Sequence, residues 1–119
     1  MVDNQRATHA RARTRPAVLT LPAEIDTCDA RQLGQELGTA LASATTVIAD
    51  MTATTFCDCS GVRTLLLAQE QAAAAGIELR LVVPSASVLR ILALIGADRL
   101  LPIYPSLDDA LGSEPAPGV

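Results

Sequence analysis

The sequence predicts a single α/β domain in which short strands and helices alternate, β-α-β-α-β-α-β-α, around a mainly parallel sheet. Three observations carry this. Short runs rich in β-branched residues alternate with stretches whose apolar residues recur at helical spacing. Proline or glycine stands at the joins, at Pro22, Gly76, Pro84 and Gly96. The chain has 119 residues, half of them apolar and only two aromatic, so one aliphatic core is expected. A core of that size buries roughly 65% of the surface that the unfolded chain exposes.

Each element follows from its residues. Residues 1–16 read as a basic, flexible lead-in with a candidate first strand in Thr8 to Arg13; this strand and the one after it could pair differently from the others. Ala17 to Leu21 is a β-type run after Pro16, stopped by Pro22. Asp29 to Ser43 reads as the first helix, preceded by capping types at Asp26 and Thr27 and carrying Leu33, Leu37, Ala40 and Leu41 at helical spacing. Thr45 to Asp50 is a buried strand. A polar, Thr-rich connection then leads through Phe56 into Cys57-Asp58-Cys59-Ser60-Gly61. The helix behind it runs from about Gly61 to Ala75, with Val62, Leu65, Leu66 and Gln69 on one face and Gly76 as its stop. Ile77 to Val83 is the next strand. Ser85 and Ser87 can cap a third helix through Ile95, whose core stripe is Val88, Ile91, Leu92 and Ile95. Leu100 to Tyr104 reads as the last strand and Ser106 to Leu111 as the last helix, with Asp108 and Asp109 in its first turn. The domain thus spans 17–111, and 112–119 reads as a disordered tail.

Composition excludes several function classes. All nine basic residues are Arg, so chemistry that needs a lysine amine is out. Residues 1–16 hold four Arg against Asp3, whereas the rest holds five Arg against twelve acids; the acidic body disfavours a nucleic-acid groove. No secretory signal is evident, and the longest apolar stretch, Val88 to Ile103, is broken by Arg90, Asp98 and Arg99, so no membrane insertion is expected. Cys28, Cys57 and Cys59 then point to reduced thiols in a cytoplasm. Their spacing is not that of a metal site, and the single histidine, His9, lies in the lead-in, so neither a metal nor another cofactor is expected.

In an α/β sheet, function tends to sit where a strand's carboxyl end meets a helix start, which is where Asp58-Cys59-Ser60-Gly61 falls. The unpaired N–H groups there favour an anion at Cys59 or Ser60. Asp58 or Ser60 can simply cap the helix, with Gly61 permitting close packing; alternatively a side chain here is a covalent modification point. A catalytic set is not assembled: neither a Cys nor a Ser nucleophile has a base, and Asp26 and Asp58 could work as paired acids only if the fold joins them.

These residues resemble the STAS domain (sulphate transporter and anti-sigma factor antagonist) in its small, free-standing anti-anti-sigma form. Pro22-Ala23-Glu24-Ile25-Asp26 is similar to the family's Gly-Glu-Leu-Asp turn, and Ala30 and Leu33 fall where its first helix carries similar residues. Val47-Ile48-Ala49-Asp50 resembles its central strand. Phe56-Cys57-Asp58-Cys59-Ser60-Gly61-Val62 resembles its Phe-Met-Asp-Ser-Ser-Gly-Leu loop, and Val88-Leu89-Arg90-Ile91-Leu92 followed by Gly96 resembles its third-helix signature. The resemblance implies a four- or five-stranded mixed sheet with helices mainly on one face. It also implies a non-enzymatic regulator that docks on an anti-sigma factor, often a serine kinase, and so releases a sigma factor. The docking residues implied are Asp26, Asp58, Cys59, Ser60, Gly61 and Val62.

One departure stands out. The position of the family's phospho-acceptor, directly after the loop aspartate, is Cys59; Ser60, one position on, is the alternative acceptor. A thiol keeps the shape of a hydroxyl but takes no phosphate from a serine kinase, which implies escape from the usual switch. Redox control through Cys28, Cys57 and Cys59 is a second reading, because a helix N-terminus favours a thiolate, although Asp58 opposes it. A Cys57–Cys59 disulfide is geometrically poor, so Cys28 is the better partner if its turn lies beside the loop. Two other roles stay open: an accessory STAS subunit of a transport or scaffold complex, for instance of a lipid-transport ATPase, and small-molecule or nucleotide binding at the loop.

Overall fold

In the computed structural model, residues 16–112 are described. Strands β1 (Ala17–Thr20), β3 (Thr46–Asp50), β5 (Glu78–Val82) and β6 (Ile103–Tyr104) form one sheet in the order β1-β3-β5-β6, every pair parallel. Two short strands, β2 (Glu24–Ile25) and β4 (Phe56–Cys57), make a separate parallel ladder. Parallel pairing demands crossovers, and helices α1 (Thr27–Ser43), α2 (Cys59–Ala75) and α3 (Ala86–Ile95) supply them. A short α4 (Leu107–Gly112) closes the order. Among the described residues the sheet is wholly parallel; the candidate strand at Thr8 to Arg13 lies outside them, as do most of the lead-in and the tail.

Side chains alternate across the sheet, and the two faces are unequal. Val47, Ala49, Leu79 and Leu81 point to the larger core, where they meet Leu33, Leu37 and Leu41 of α1, Val62, Leu65, Ala68 and Ala72 of α2, and Val88 and Leu92 of α3. Ile48 and Val82 point the other way, under Ala110, Leu107 and Tyr104. Three helices therefore cover one face and α4 the other. Arg80 lies on the α4 side and is 3% exposed. Its guanidinium donates to the Ala110 carbonyl, pairs with Glu78 at 3.2 Å and lies over the Tyr104 ring, pinning α4 to the sheet.

Several expected boundaries move, each for a local reason. Helices α1 and α2 start two residues earlier than the apolar periodicity does, because Asp26 and Asp58 are the caps. Of the two candidate caps of α3, Ser85 is the one whose hydroxyl accepts the Val88 N–H; Ser87 lies inside the helix. The last strand is only Ile103–Tyr104. Gly96, at φ 85°, turns the chain into a 3₁₀ turn (Ala97–Arg99), and the N–H groups of Leu100 and Leu101 bond back to Ala97. Sheet pairing begins at Pro102, whose carbonyl accepts the Leu81 N–H at 2.8 Å. On α2 the deepest small residues are Ala68 and Ala72, while Leu66 and Gln69 are half-buried. Ile95, expected in the α3 stripe, is exposed at the helix end beside Gly96.

Candidate functional site

The β2–β4 ladder builds the site. Its register pairs Glu24 with Phe56 and Ile25 with Cys57, and the Asp58 N–H continues it to the Ile25 carbonyl at 3.0 Å. Each strand runs directly into an aspartate that caps a helix, so Asp26 and Asp58 lie side by side at the starts of α1 and α2. Asp26 accepts the N–H groups of Cys28 (2.9 Å) and Asp29 (3.2 Å), and Asp29 accepts the Asp26 N–H in return at 3.1 Å, a reciprocal capping box. Asp58 Oδ1 accepts the N–H groups of Ser60 (3.0 Å) and Gly61 (3.2 Å) and the Ser60 hydroxyl (2.6 Å). Its Oδ2 accepts the Thr27 hydroxyl from α1 at 3.3 Å.

This close approach of α2 to the ladder depends on Gly61. A Cβ there would stand 2.7 Å from Cys57 Sγ and 2.8 Å from Ile25 Cγ2, both on fully buried residues. The same burial, with the nearby Asp58 and Cys59 charges adding to it, pushes the Cys57 thiol up to about 11. Asp58 moves the other way. The Ser60 hydroxyl holds its carboxyl below the usual range; desolvation opposes this, and the N–H groups of Gly61 and Ser60 and the Thr27 hydroxyl assist.

The fold gathers most of the residues expected at the site. Asp26 and Asp58 are neighbours, yet each spends its carboxylate on a helix start rather than facing a cavity as half of an acid pair. Cys59 is the exposed first residue of α2. It lines a groove of about 440 Å³ with Ser60, Val62, Arg63, Leu66 and Ile95, although Val62 is itself almost fully buried. Ser60 turns its hydroxyl to Asp58. The turn that carries Cys28 does lie beside the loop, and Cys28, Cys57 and Cys59 are all free thiols. Cys57 is sealed in the core, while Cys28 and Cys59 reach solvent.

Thr27, Arg63 and Ile95 are site contacts that sequence reasoning misses. Thr27 reads there only as a capping type, and the strand pairing that carries it to Asp58 spans 31 positions. Among the described residues, no group of three or more His, Cys, Asp or Glu could hold a metal ion, and no helix is long and apolar enough to cross a membrane.

Comparison with known proteins fits this geometry. The family model described as the STAS domain matches residues 7–110. The Mycobacterium tuberculosis protein Rv2638, named as a candidate anti-anti-sigma factor, is 37% identical over 82 residues, which are 69% of this chain and 55% of that protein. The chain thus spans just over half the length of that curated relative. An anti-sigma factor antagonist of known structure from Mycobacterium paratuberculosis is 30% identical, with a TM-score of 0.75 over 82% of this chain and 83% of the other. The unphosphorylated form of the Bacillus anti-sigma factor antagonist SpoIIAA, 23% identical, shares the fold at a TM-score of 0.69 over 82% of this chain and 86% of its own.

Proposed function

The chain belongs to the STAS domain family, and from that premise we propose that it is a protein-binding regulator, an anti-sigma factor antagonist that docks on an anti-sigma factor and so frees a sigma factor. The observation that carries the proposal is the exposed ridge where two capped helix starts meet, with Cys59 at the first position of α2 directly after Asp58. The names of the two mycobacterial relatives support the class of partner.

The ridge has the make-up of a docking surface. Asp26 and Asp58 bring acidic oxygens fixed by backbone donors, and the groove beside Cys59 offers the apolar flanks of Leu66 and Ile95. This role calls for no catalysis; release of the sigma factor follows from competition for one anti-sigma factor. A phosphate at the position of Cys59 would put up to about two negative charges and a bulky hydrated group at the mouth of the apolar groove, which opposes docking there. A thiol there keeps the unmodified shape and accepts no phosphate from a serine kinase, so docking is permanently enabled. Ser60 is the nearest remaining hydroxyl, and its proton is given to Asp58 Oδ1.

The test is reconstitution. Added to a preformed complex of a sigma factor and its anti-sigma factor from the same cell, the chain is expected to release free sigma factor on size-exclusion chromatography. With ATP present, its intact mass is expected to stay unchanged. A complex that persists at saturating antagonist contradicts the docking reading, and a phosphate mapped to Ser60 contradicts the escape from phosphorylation.

A further inference from the structure

We propose that Thr27 is the positioning residue that ties the Asp58 carboxylate to α1, and with it sets the orientation in which the docking ridge is presented; the link to docking rests on the function proposed above. Three of the four donors to that carboxylate, the Ser60 N–H, the Gly61 N–H and the Ser60 hydroxyl, come from α2 and all meet Oδ1. They tie the carboxylate to its own helix only, and Oδ2 is the oxygen turned toward α1. Thr27 Oγ1 supplies the donor on Oδ2, at 3.3 Å, and it comes from the neighbouring helix.

Thr27 is well placed to do this. It is the first residue of α1, held by the Asp26 capping box on one side and by the Ile25–Cys57 register on the other. Ser60 Oγ lies 3.5 Å from Thr27 Oγ1 but 2.6 Å from Asp58 Oδ1, so its single proton serves Asp58 and leaves the Thr27 proton for Oδ2. Cys59, the residue beside Asp58 in sequence, takes no part in this hold, because its side chain lines the groove toward Ile95. A hydroxyl on one helix thus locks the cap of the other, and the two acidic tips of the ridge are set as a unit.

The hold has an electrostatic signature. The charge of Asp58 is felt at Cys57 of β4, and hydrogen bonds, the Ser60 hydroxyl first and the Thr27 hydroxyl last among them, keep the Asp58 carboxyl below the usual range. Thr27→Val removes the donor and keeps the branched shape, whereas Thr27→Ser keeps the donor. The experiment follows the Asp58 side-chain carboxyl by NMR through an acid titration of the whole chain in the three forms. Thr27→Val is expected to titrate at higher pH than wild type, with Thr27→Ser restored to the wild-type curve. Against the purified anti-sigma factor, Thr27→Val is expected to bind roughly fivefold more weakly, and Thr27→Ser as wild type.

Coincident titration curves for wild type and Thr27→Val overturn the proposal. A shifted curve with unchanged affinity overturns its link to the ridge. The titration needs no partner, so if wild type itself fails to bind, the docking reading falls while the curves still decide whether Thr27 holds Asp58.

Discussion

At the scale of single residues, the site is governed by what touches Cys57 and Gly61. Ile25 and Cys57 are fully buried under the start of α2, and neither side chain has room to swing away from an added methyl group at Gly61. Gly61→Ala gains up to about 1 kcal/mol of helix propensity. Overpacking outweighs that gain, and a net loss of about 1–2 kcal/mol is expected, seen as a lower urea midpoint at unchanged slope. Wild-type stability in that variant would show that the contact relaxes freely. Cys57 adds a pH dependence. Its folded value, about 11, lies above the ordinary 9.0, so its contribution is intact below pH 9 and is lost as pH rises toward 11. The thermal midpoint should therefore fall more steeply across that window in wild type than in Cys57→Ala, and equal slopes would refute the assignment.

At the scale of elements, capping decides where both site helices begin. Asp26→Ala removes the acceptor for the Cys28 and Asp29 N–H groups and should cost about 1 kcal/mol in denaturant unfolding, whereas Asp26→Asn should retain most of the stability. An alanine variant as stable as wild type would mean that the cap is replaced by water at no cost. Capping also explains the partial legibility of the elements. The helices and the central strands are readable because Leu33, Leu37, Leu41 and Val47 repeat with the period of their element. The helix starts lie two residues ahead of the periodic signal because Thr27, Cys28, Cys59 and Ser60 are small and lie at the exposed or half-buried first turn, outside the buried stripe. Strands β2 and β4 have two residues each, too few for any period, and exist only because they pair with one another. Leu100 and Leu101 look like strand by composition, yet a glycine at φ 85° bends them into a turn.

At the scale of the whole molecule, a four-stranded parallel sheet carries three helices on one face, and a second, two-stranded ladder at one end brings two acidic helix starts together. The motif residues of that end, Asp26, Asp58, Cys59 and Gly61, are legible because they lie in short local patterns. Thr27 and Ile95 are not, because their places at the site depend on long-range pairing and on how α3 lies beside α2. The central claim is that this end is a protein-docking ridge whose switch position is occupied by a thiol. Replacing Cys59 by aspartate puts a negative charge where a modified side chain would carry one. An acid in the first turn of a helix suits the helix dipole, so the fold should be unharmed. The most direct measurement is therefore capture of partners by wild type and by Cys59→Asp from native lysate, with thermal unfolding of both as control. Retention of an anti-sigma factor by wild type and its loss from an equally stable Cys59→Asp is the predicted result; equal retention by both, or no anti-sigma factor on wild type, would contradict the claim.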